Sequence, residues 1–169
     1  MARDYQYKQS AKMTSAWPEA CAPDTNKEQE LLEDVFLSWL SGFVDAEGHF
    51  LIKLRKGYNT SSFTFEIHLH IDDLPTLTYI YKRLKIGKIR QVKNPVFFYV
   101  NKIEGIKILI SIFDKYSIWT HKQLDFKSFK LAFENRNDYL NVINIKNNMN
   151  KNRQDFDNYI LPPIFLEDP

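Results

Sequence analysis

The chain has 169 residues, of which 44% are hydrophobic and 15% aromatic, so it is long and apolar enough to form one packed domain. Its single cysteine, Cys21, excludes a disulfide within the chain and favours a reducing compartment. No stretch approaches the roughly 20 apolar residues that cross a bilayer, so we expect no membrane-spanning segment.

Positive charge is concentrated in the middle of the chain, although the net charge is only +2. Residues 53–102 contain ten Lys and Arg against three Asp and Glu, whereas residues 1–34 contain four against seven. A basic segment is typical of a surface that faces nucleic-acid phosphates, but a solvated lysine-rich surface has the same composition. Beyond residue 25 the chain is rich in Lys, Ile, Asn, Phe and Tyr, as in AT-rich genes, which favours a mitochondrial, organelle-encoded origin.

Residues 1–32 show no sustained periodicity, and we expect them to form a flexible N-terminal arm. Apolar residues at 3–4 spacing then predict a helix over residues 33–46. Small side chains on one face of this helix allow a second helix, or a neighbour within the chain, to approach closely: Ser38, Gly42, and Asp45 or Ala46. Its large side chains are expected to face the domain core: Trp39, Phe43 and Val44.

Alternating apolar and polar residues predict strands at 50–56 and 63–71, joined by a turn at 57–62. A helix follows that Asp72 or Asp73 can cap, with Pro75 in its first turn and apolar residues from Leu77 to Leu84. Two short strands are then predicted at 88–93 and 96–101, and helices at 104–113 and 122–135. This αββαββαα order predicts an α+β domain over residues 33–140, with a four-stranded antiparallel sheet and helices on one face. Residues 141–169 are expected to be a polar C-terminal tail.

The segment Leu40–Gly48, LSGFVDAEG, resembles the nine-residue signature of the LAGLIDADG homing endonucleases, with Glu at the second acidic position. A second stretch, Thr120–Phe126, is also similar to the family, and the resemblance covers about residues 35–135. It implies the saddle-shaped sheet of that fold. Because the chain has one motif, it also implies the single-motif type, a homodimer with twofold symmetry that prefers a pseudo-palindromic site. The implied dimer interface contains Ser38, Ser41, Gly42, Asp45 and Ala46.

The resemblance further implies metal-dependent hydrolysis of DNA. Glu47 occupies the acidic position that binds metal in the family, beside the backbone carbonyl of Ala46, and Mg²⁺ prefers such hard oxygen ligands. Two copies of Glu47 would meet near the dimer axis, where a cation neutralises their repulsion. Lys122, or the neighbouring His121, is expected to act as a catalytic electrostatic helper. A solvated carboxylate at a helix end and a lysine at a helix start are the structural alternatives.

The polar face of the predicted sheet is expected to contact double-stranded DNA through phosphates and base edges. The residues predicted to bind DNA are Lys53, Arg55, Lys56, Thr64, Glu66, His68, His70, Lys88, Arg90, Lys93, Tyr99 and Asn101. The spacing of His68 and His70 also permits a metal pair, but the sequence places no further Cys or His ligand nearby, which disfavours zinc.

Three functions remain open from the sequence. The first is an intron-encoded, site-specific endonuclease that makes a double-strand break. The second is a non-cleaving relative that binds RNA, as an intron-splicing maturase or as part of a ribonucleoprotein assembly. The third is a DNA-binding regulator without catalysis. Glu47 and Lys122 favour the nuclease, whereas the low net charge and the N-terminal arm favour recruitment to a ribonucleoprotein.

Overall fold

The computed structural model describes residues 25–55, 57–149 and 151. Its helices and strands follow one another in the predicted order. The elements are α1 (Thr25–Glu47), β1 (Gly48–Arg55), β2 (Thr60–His70), α2 (Leu74–Leu84), β3 (Lys88–Gln91), β4 (Pro95–Val100), α3 (Ile103–Lys115), α4 (Lys122–Glu134) and α5 (Tyr139–Asn148). A 3-10 turn, Ile71–Asp73, joins β2 to α2. The αββαββαα prediction is confirmed, and α5 is an additional helix.

The four strands form one antiparallel sheet in the order β1-β2-β4-β3. Side chains alternate between its two faces because successive residues of a strand point in opposite directions. One face is apolar and buried beneath the helices, and its fully or almost fully buried residues are Phe50, Ile52, Phe63, Phe65, Ile67, Val96, Phe98 and Val100. The other face carries most of the polar residues of the strands.

An aromatic cluster joins the buried face of the sheet to α3 and α4. The ring of Phe50 lies 5.3 Å from Phe65, 6.1 Å from Phe113, 5.5 Å from Phe126 and 5.3 Å from Phe129, measured between centroids. Such ring pairs contribute about 0.5–1.5 kcal/mol each beyond the area that they bury. The cluster therefore fixes the start of α4 relative to β1, which follows directly after α1.

Both ends of the described chain differ from the predictions. Helix α1 begins at Thr25, so residues 25–32 of the predicted flexible arm are helical. Arg83 of α2 anchors this extension by donating to Glu33 at 2.7 Å and to the carbonyl of Leu32 at 3.3 Å. Helix α5 lies largely within the predicted C-terminal tail and buries Val142. The rest of the predicted arm and tail, residues 1–24 and 152–169, lies outside the described residues.

Trp39 does not face the core as predicted. It is 42% exposed, and its ring stacks on Phe43 at a centroid distance of 5.2 Å. The core side of α1 is formed instead by residues four apart, Phe36, Leu40 and Val44, which are at most 3% exposed. Trp39 lies beside this row and not within it. No helix in the described part of the chain combines the length and apolarity needed to cross a bilayer.

Candidate active site and nucleic-acid interface

Glu47 is the last residue of α1, and the chain enters β1 without a connecting loop. Gly48 makes this junction possible, because a Cβ there would lie 2.6 Å from Cγ1 and 2.7 Å from the carbonyl oxygen of Val44. Such distances are far shorter than real contacts, so any side chain at residue 48 would push the strand away from the helix. The backbone of Glu47 is consequently held at the boundary between the helix and the sheet.

The ammonium group of Lys122 lies at this junction. Its Nζ donates to the carbonyl oxygen of Ala46 at 3.1 Å and to that of Gly48 at 2.7 Å. These two carbonyls flank Glu47, so the structure brings together the residues that the sequence suggested for metal binding and catalysis. We refer to Ala46, Glu47, Gly48 and Lys122 as the Glu47 corner. His121, the other predicted basic residue, is the half-buried N-cap residue of α4.

Asp45 holds the segment that precedes Lys122. Its carboxylate accepts from the backbone amides of Trp119, at 3.0 Å, and Thr120, at 2.9 Å, and from the hydroxyl of Thr120. These bonds lie within the same chain, whereas the resemblance implied that Asp45 lies in the dimer interface. The backbone amide of Lys122 in turn donates to the Thr120 hydroxyl at 3.3 Å. Asp45 therefore positions the start of α4 next to Glu47.

Ser41 makes a second link within the chain. It is 4% exposed, and its hydroxyl lies within hydrogen-bonding distance of the carbonyl oxygens of Tyr116 and Ser117, at 2.9 and 2.7 Å. The Ser41 hydroxyl is therefore hydrogen-bonded within its own domain. Among the residues predicted at a dimer interface, Ser41 thus points inward, away from the exposed face of α1.

One side of α1 remains open in the described structure. No atom lies within 4 Å of a Cβ built on Gly42, and Leu31 and Val35 are 63% and 59% exposed. These residues recur every three to four positions, so they share one helix face. We call this face the open side of α1; it consists of Leu31, Val35, Ser38, Gly42 and Ala46, all exposed.

The Glu47 corner fits a divalent cation chemically. It combines a carboxylate with two carbonyl oxygens, the hard ligands that Mg²⁺ and Ca²⁺ prefer, and a cationic ammonium group already lies against those carbonyls. Within the described residues, no group of three or more His, Cys, Asp or Glu is placed to hold a metal. A complete coordination shell would therefore need ligands from beyond the described residues, or water.

Two rows of outward residues cross the sheet on its polar face. Strand pairing aligns the first row as His49, Glu66, Tyr99 and Lys88. It aligns the second row as His68, Phe97 and Arg90. The guanidinium of Arg90 lies 5.4 Å from the Phe97 ring centroid, so charge and aromatic surface are combined, as in proteins that bind nucleic acids.

His49 was not among the residues predicted to contact DNA, although it lies two positions beyond Glu47 on this face. Its ring stacks on His68 at 5.0 Å, and Nε2 of His68 lies 2.8 Å from the carboxylate of Glu66. Partial burial lowers the pKa of His49, and the electrostatic effects of His68 and Lys122 lower that pKa further. These surroundings therefore favour the neutral form of the imidazole. Starting the first strand at residue 48 in the sequence pattern would have identified it.

The remaining predicted DNA-binding residues differ in how accessible they are. Lys53, Arg55, His70, Lys88 and Arg90 are exposed, and Lys93 is exposed in the turn between β3 and β4. Thr64 is only 9% exposed, and Glu66 is engaged by His68. Lys56 lies outside the described residues. A shallow cavity of about 210 Å³ on the polar face is lined by Lys53, Thr64, Glu66, Arg90, Phe97, Tyr99 and Asn101.

Several known proteins are similar to this chain in sequence. The family model for LAGLIDADG endonucleases matches residues 40–133. A probable intron-encoded endonuclease, Cox1-I1b of Schizosaccharomyces pombe, is 34% identical over 58% of this chain and 27% of its own length. The uncharacterized mitochondrial protein RF1 of Saccharomyces cerevisiae is 31% identical over 74% of this chain and 28% of its own.

The fold of this chain is also similar to that of a solved structure. The LAGLIDADG meganuclease I-AabMI, bound to uncleaved DNA, matches with a TM-score of 0.63 and 28% identity, over 75% of this chain and 50% of that one. This chain thus spans about a quarter of the length of the two fungal relatives and half of the meganuclease. The motif at residues 40–48, the four-stranded sheet and these matches show that the chain belongs to the LAGLIDADG endonuclease family.

Proposed function

We propose that this protein is a site-specific DNA endonuclease of the homing type, which makes a metal-dependent double-strand break. The observation that carries the proposal is the Glu47 corner, where the Lys122 ammonium lies against the two backbone carbonyls that flank Glu47 at the end of the motif helix. The names of the fungal relatives support a mitochondrial, intron-encoded origin.

DNA binding is assigned to the polar face of the sheet. Exposed Lys53, Arg55, Lys88 and Arg90 give this face a positive charge, which neutralises phosphates and releases counterions. The residues between them can contact base edges in the major groove. The crystal structure of the related meganuclease I-AabMI with DNA supports this assignment. We expect the affinity for DNA to fall steeply as the salt concentration rises.

The open side of α1 is assigned to contact between two copies of the chain. Gly42 leaves room for close helix approach, and the exposed apolar residues Leu31 and Val35 extend the contact toward the N-terminus. A twofold axis along this face would bring two Glu47 carboxylates together, each from one copy. The dimer would then read two related half-sites, which explains the expected pseudo-palindromic target.

The metal-holding groups and Lys122 have different roles in the proposed reaction. A bound Mg²⁺ supplies Lewis-acid stabilisation of charge on the phosphate and lowers the pKa of water. Glu47 and the Ala46 carbonyl would hold that ion. Lys122 places a positive charge beside the phosphate that is cleaved, where charge develops in the transition state. Asp45 keeps Lys122 at the required distance through Trp119 and Thr120.

The test is cleavage by the Glu47→Gln variant. A DNA substrate is first selected from a randomised library with the wild-type protein and Mg²⁺, and cleavage is compared with and without EDTA. Because Gln keeps the shape but loses the charge that holds the cation, we expect the cleavage rate to fall at least about 100-fold, with DNA affinity unchanged within a few-fold. The matched control is Glu104→Gln, an exposed carboxylate at the start of α3, which should cut normally.

Two outcomes would contradict the proposal. If Glu47→Gln cuts at the wild-type rate, the carboxylate has no catalytic role. If the wild-type protein binds a structured intron RNA tightly but cuts no DNA with Mg²⁺, the maturase or ribonucleoprotein function replaces the nuclease.

A further inference from the structure

The carbonyl oxygens of the Glu47 corner form a site that attracts cations. The last carbonyls of a helix have no amide partner within the helix, and they carry the negative end of the helix dipole. In α1 the Ala46 carbonyl belongs to this last turn, and the Gly48 carbonyl lies just beyond it. The carboxyl group of Glu47 lies between them in sequence. A positive charge is therefore expected here, and the structure places the Lys122 ammonium in that position.

The position of Lys122 is imposed by the fold around it. Asp45 holds the backbone of Thr120, and the Thr120 hydroxyl accepts from the amide of Lys122. On the next turn of α4, Phe126 is 5% exposed and packs against Phe50 and Phe113. With both sides of its backbone anchored, the half-buried Lys122 side chain is directed at the corner.

We propose, on the basis of the proposed nuclease function, that Lys122 is an internal competitor for the divalent cation of this site. An ammonium group and a divalent cation at the same carbonyl of Ala46 repel each other strongly, because little water separates them. The ammonium must therefore move from this carbonyl when the metal binds. As a result, Lys122 weakens metal binding to the protein when DNA is absent.

The same competition couples metal binding to DNA binding. A DNA phosphate beside the corner adds negative charge, which accommodates both cations and offers Lys122 an alternative acceptor. Metal and DNA should therefore bind cooperatively, each raising the affinity for the other by the same factor. Removing the ammonium should reduce this cooperativity, because the free protein no longer opposes the metal.

The experiment measures Mn²⁺ binding to the full chain without DNA, through paramagnetic broadening of the Gly48 amide resonance. Lys122→Met keeps an unbranched side chain but removes the charge. We expect half-maximal broadening at an about tenfold lower Mn²⁺ concentration in Lys122→Met than in the wild type. The control is Lys127→Met, an exposed lysine on the same helix, which should shift the midpoint less than twofold.

A second variant, Lys122→Arg, retains the charge and should bind Mn²⁺ as weakly as the wild type. The inference is wrong if Lys122→Met binds Mn²⁺ no more tightly than the wild type, or if its Gly48 resonance does not broaden at all. The nuclease proposal is tested separately by cleavage. Wild-type cutting with an unchanged Lys122→Met midpoint rejects only the competition, whereas a shifted midpoint without cutting rejects only the nuclease.

Discussion

The two sides of helix α1 differ in packing and therefore in what they do. On the packed side Phe36, Leu40 and Val44 are at most 3% exposed and lie against the sheet and its helices. On the open side Leu31 and Val35 are more than half exposed, and Gly42 has no neighbour. One side of the helix thus stabilises its own domain, and the other side carries the small and apolar residues that we propose for contact with a second copy of the chain.

A third row on α1, between these two sides, carries its polar links. Asp34, Ser41 and Asp45 recur at helical spacing, and each bonds to the segment 115–120. This segment leads into α4 and Lys122. Along one helix, the packed side contributes stability, the open side is the surface proposed for association, and the row between them positions Lys122.

The largest expected effect is on the packed side. Leu40→Ala removes a side chain that is 1% exposed, and we expect the free energy of unfolding to fall by about 2–5 kcal/mol through lost burial and the cavity that remains. Urea denaturation measures this change in the free energy of unfolding. It is carried out at several protein concentrations because association also contributes to stability. Val35→Ala on the open side is the control and should change the unfolding free energy of the dissociated chain by less than about 0.5 kcal/mol. Equal losses in the two variants would contradict the distinction between the sides.

The second prediction concerns the open side. Gly42→Leu has room in the isolated chain, and Leu favours a helix over Gly by up to about 1 kcal/mol, so the dissociated chain should be as stable or more stable. In a twofold dimer the added side chain occurs twice at the axis, so we expect association to weaken by about 100-fold. Sedimentation equilibrium measures the dissociation constant of the dimer. Gly57→Leu, at another glycine without close neighbours, is the control. Unchanged association of Gly42→Leu would exclude this face as the dimer interface.

The sequence predicted those features of α1 that depend on local patterns. The 3–4 spacing of apolar residues identified the helix, and the motif at residues 40–48 placed Glu47 at its end. The bonds of Ser41 and Asp45 could not be predicted in this way, because their partners lie 74 to 76 residues away along the chain. The start of α1 was missed for a different reason: Leu31 and Leu32 are both exposed, so residues 25–32 present no buried apolar row to the core.

In the sheet, too, the local pattern was predictable and the side-chain contacts were not. Alternation predicted which residues of β1 and β2 share a face, and therefore most of the surface assigned to DNA. It did not predict that His68 engages Glu66, because a pair on neighbouring positions of one strand face depends on side-chain conformation. It also missed His49, since a strand that begins directly after a helix has no turn residue to mark its start.

The smallest expected effect is at Asp34, which belongs to the third row of α1 and has a half-exposed side chain. Its carboxylate accepts from the hydroxyl of Tyr116 and, at 3.2 Å, from the ammonium of Lys115. The bond from Tyr116, and then that from Lys115, lower the pKa of Asp34 below its ordinary value of 3.8. A carboxyl whose pKa is lower in the folded state stabilises that state above about pH 4, and this contribution is lost as the pH falls through the lower folded pKa. Asp34→Asn should therefore lower the urea midpoint slightly at neutral pH, and the difference from the wild type should shrink near pH 3. Asp73→Asn, at an exposed position without a side-chain capping bond, controls for the loss of one negative charge. A difference of equal size at both pH values would mean that Asp34 contributes through shape alone, and that the third row does not depend on its charge.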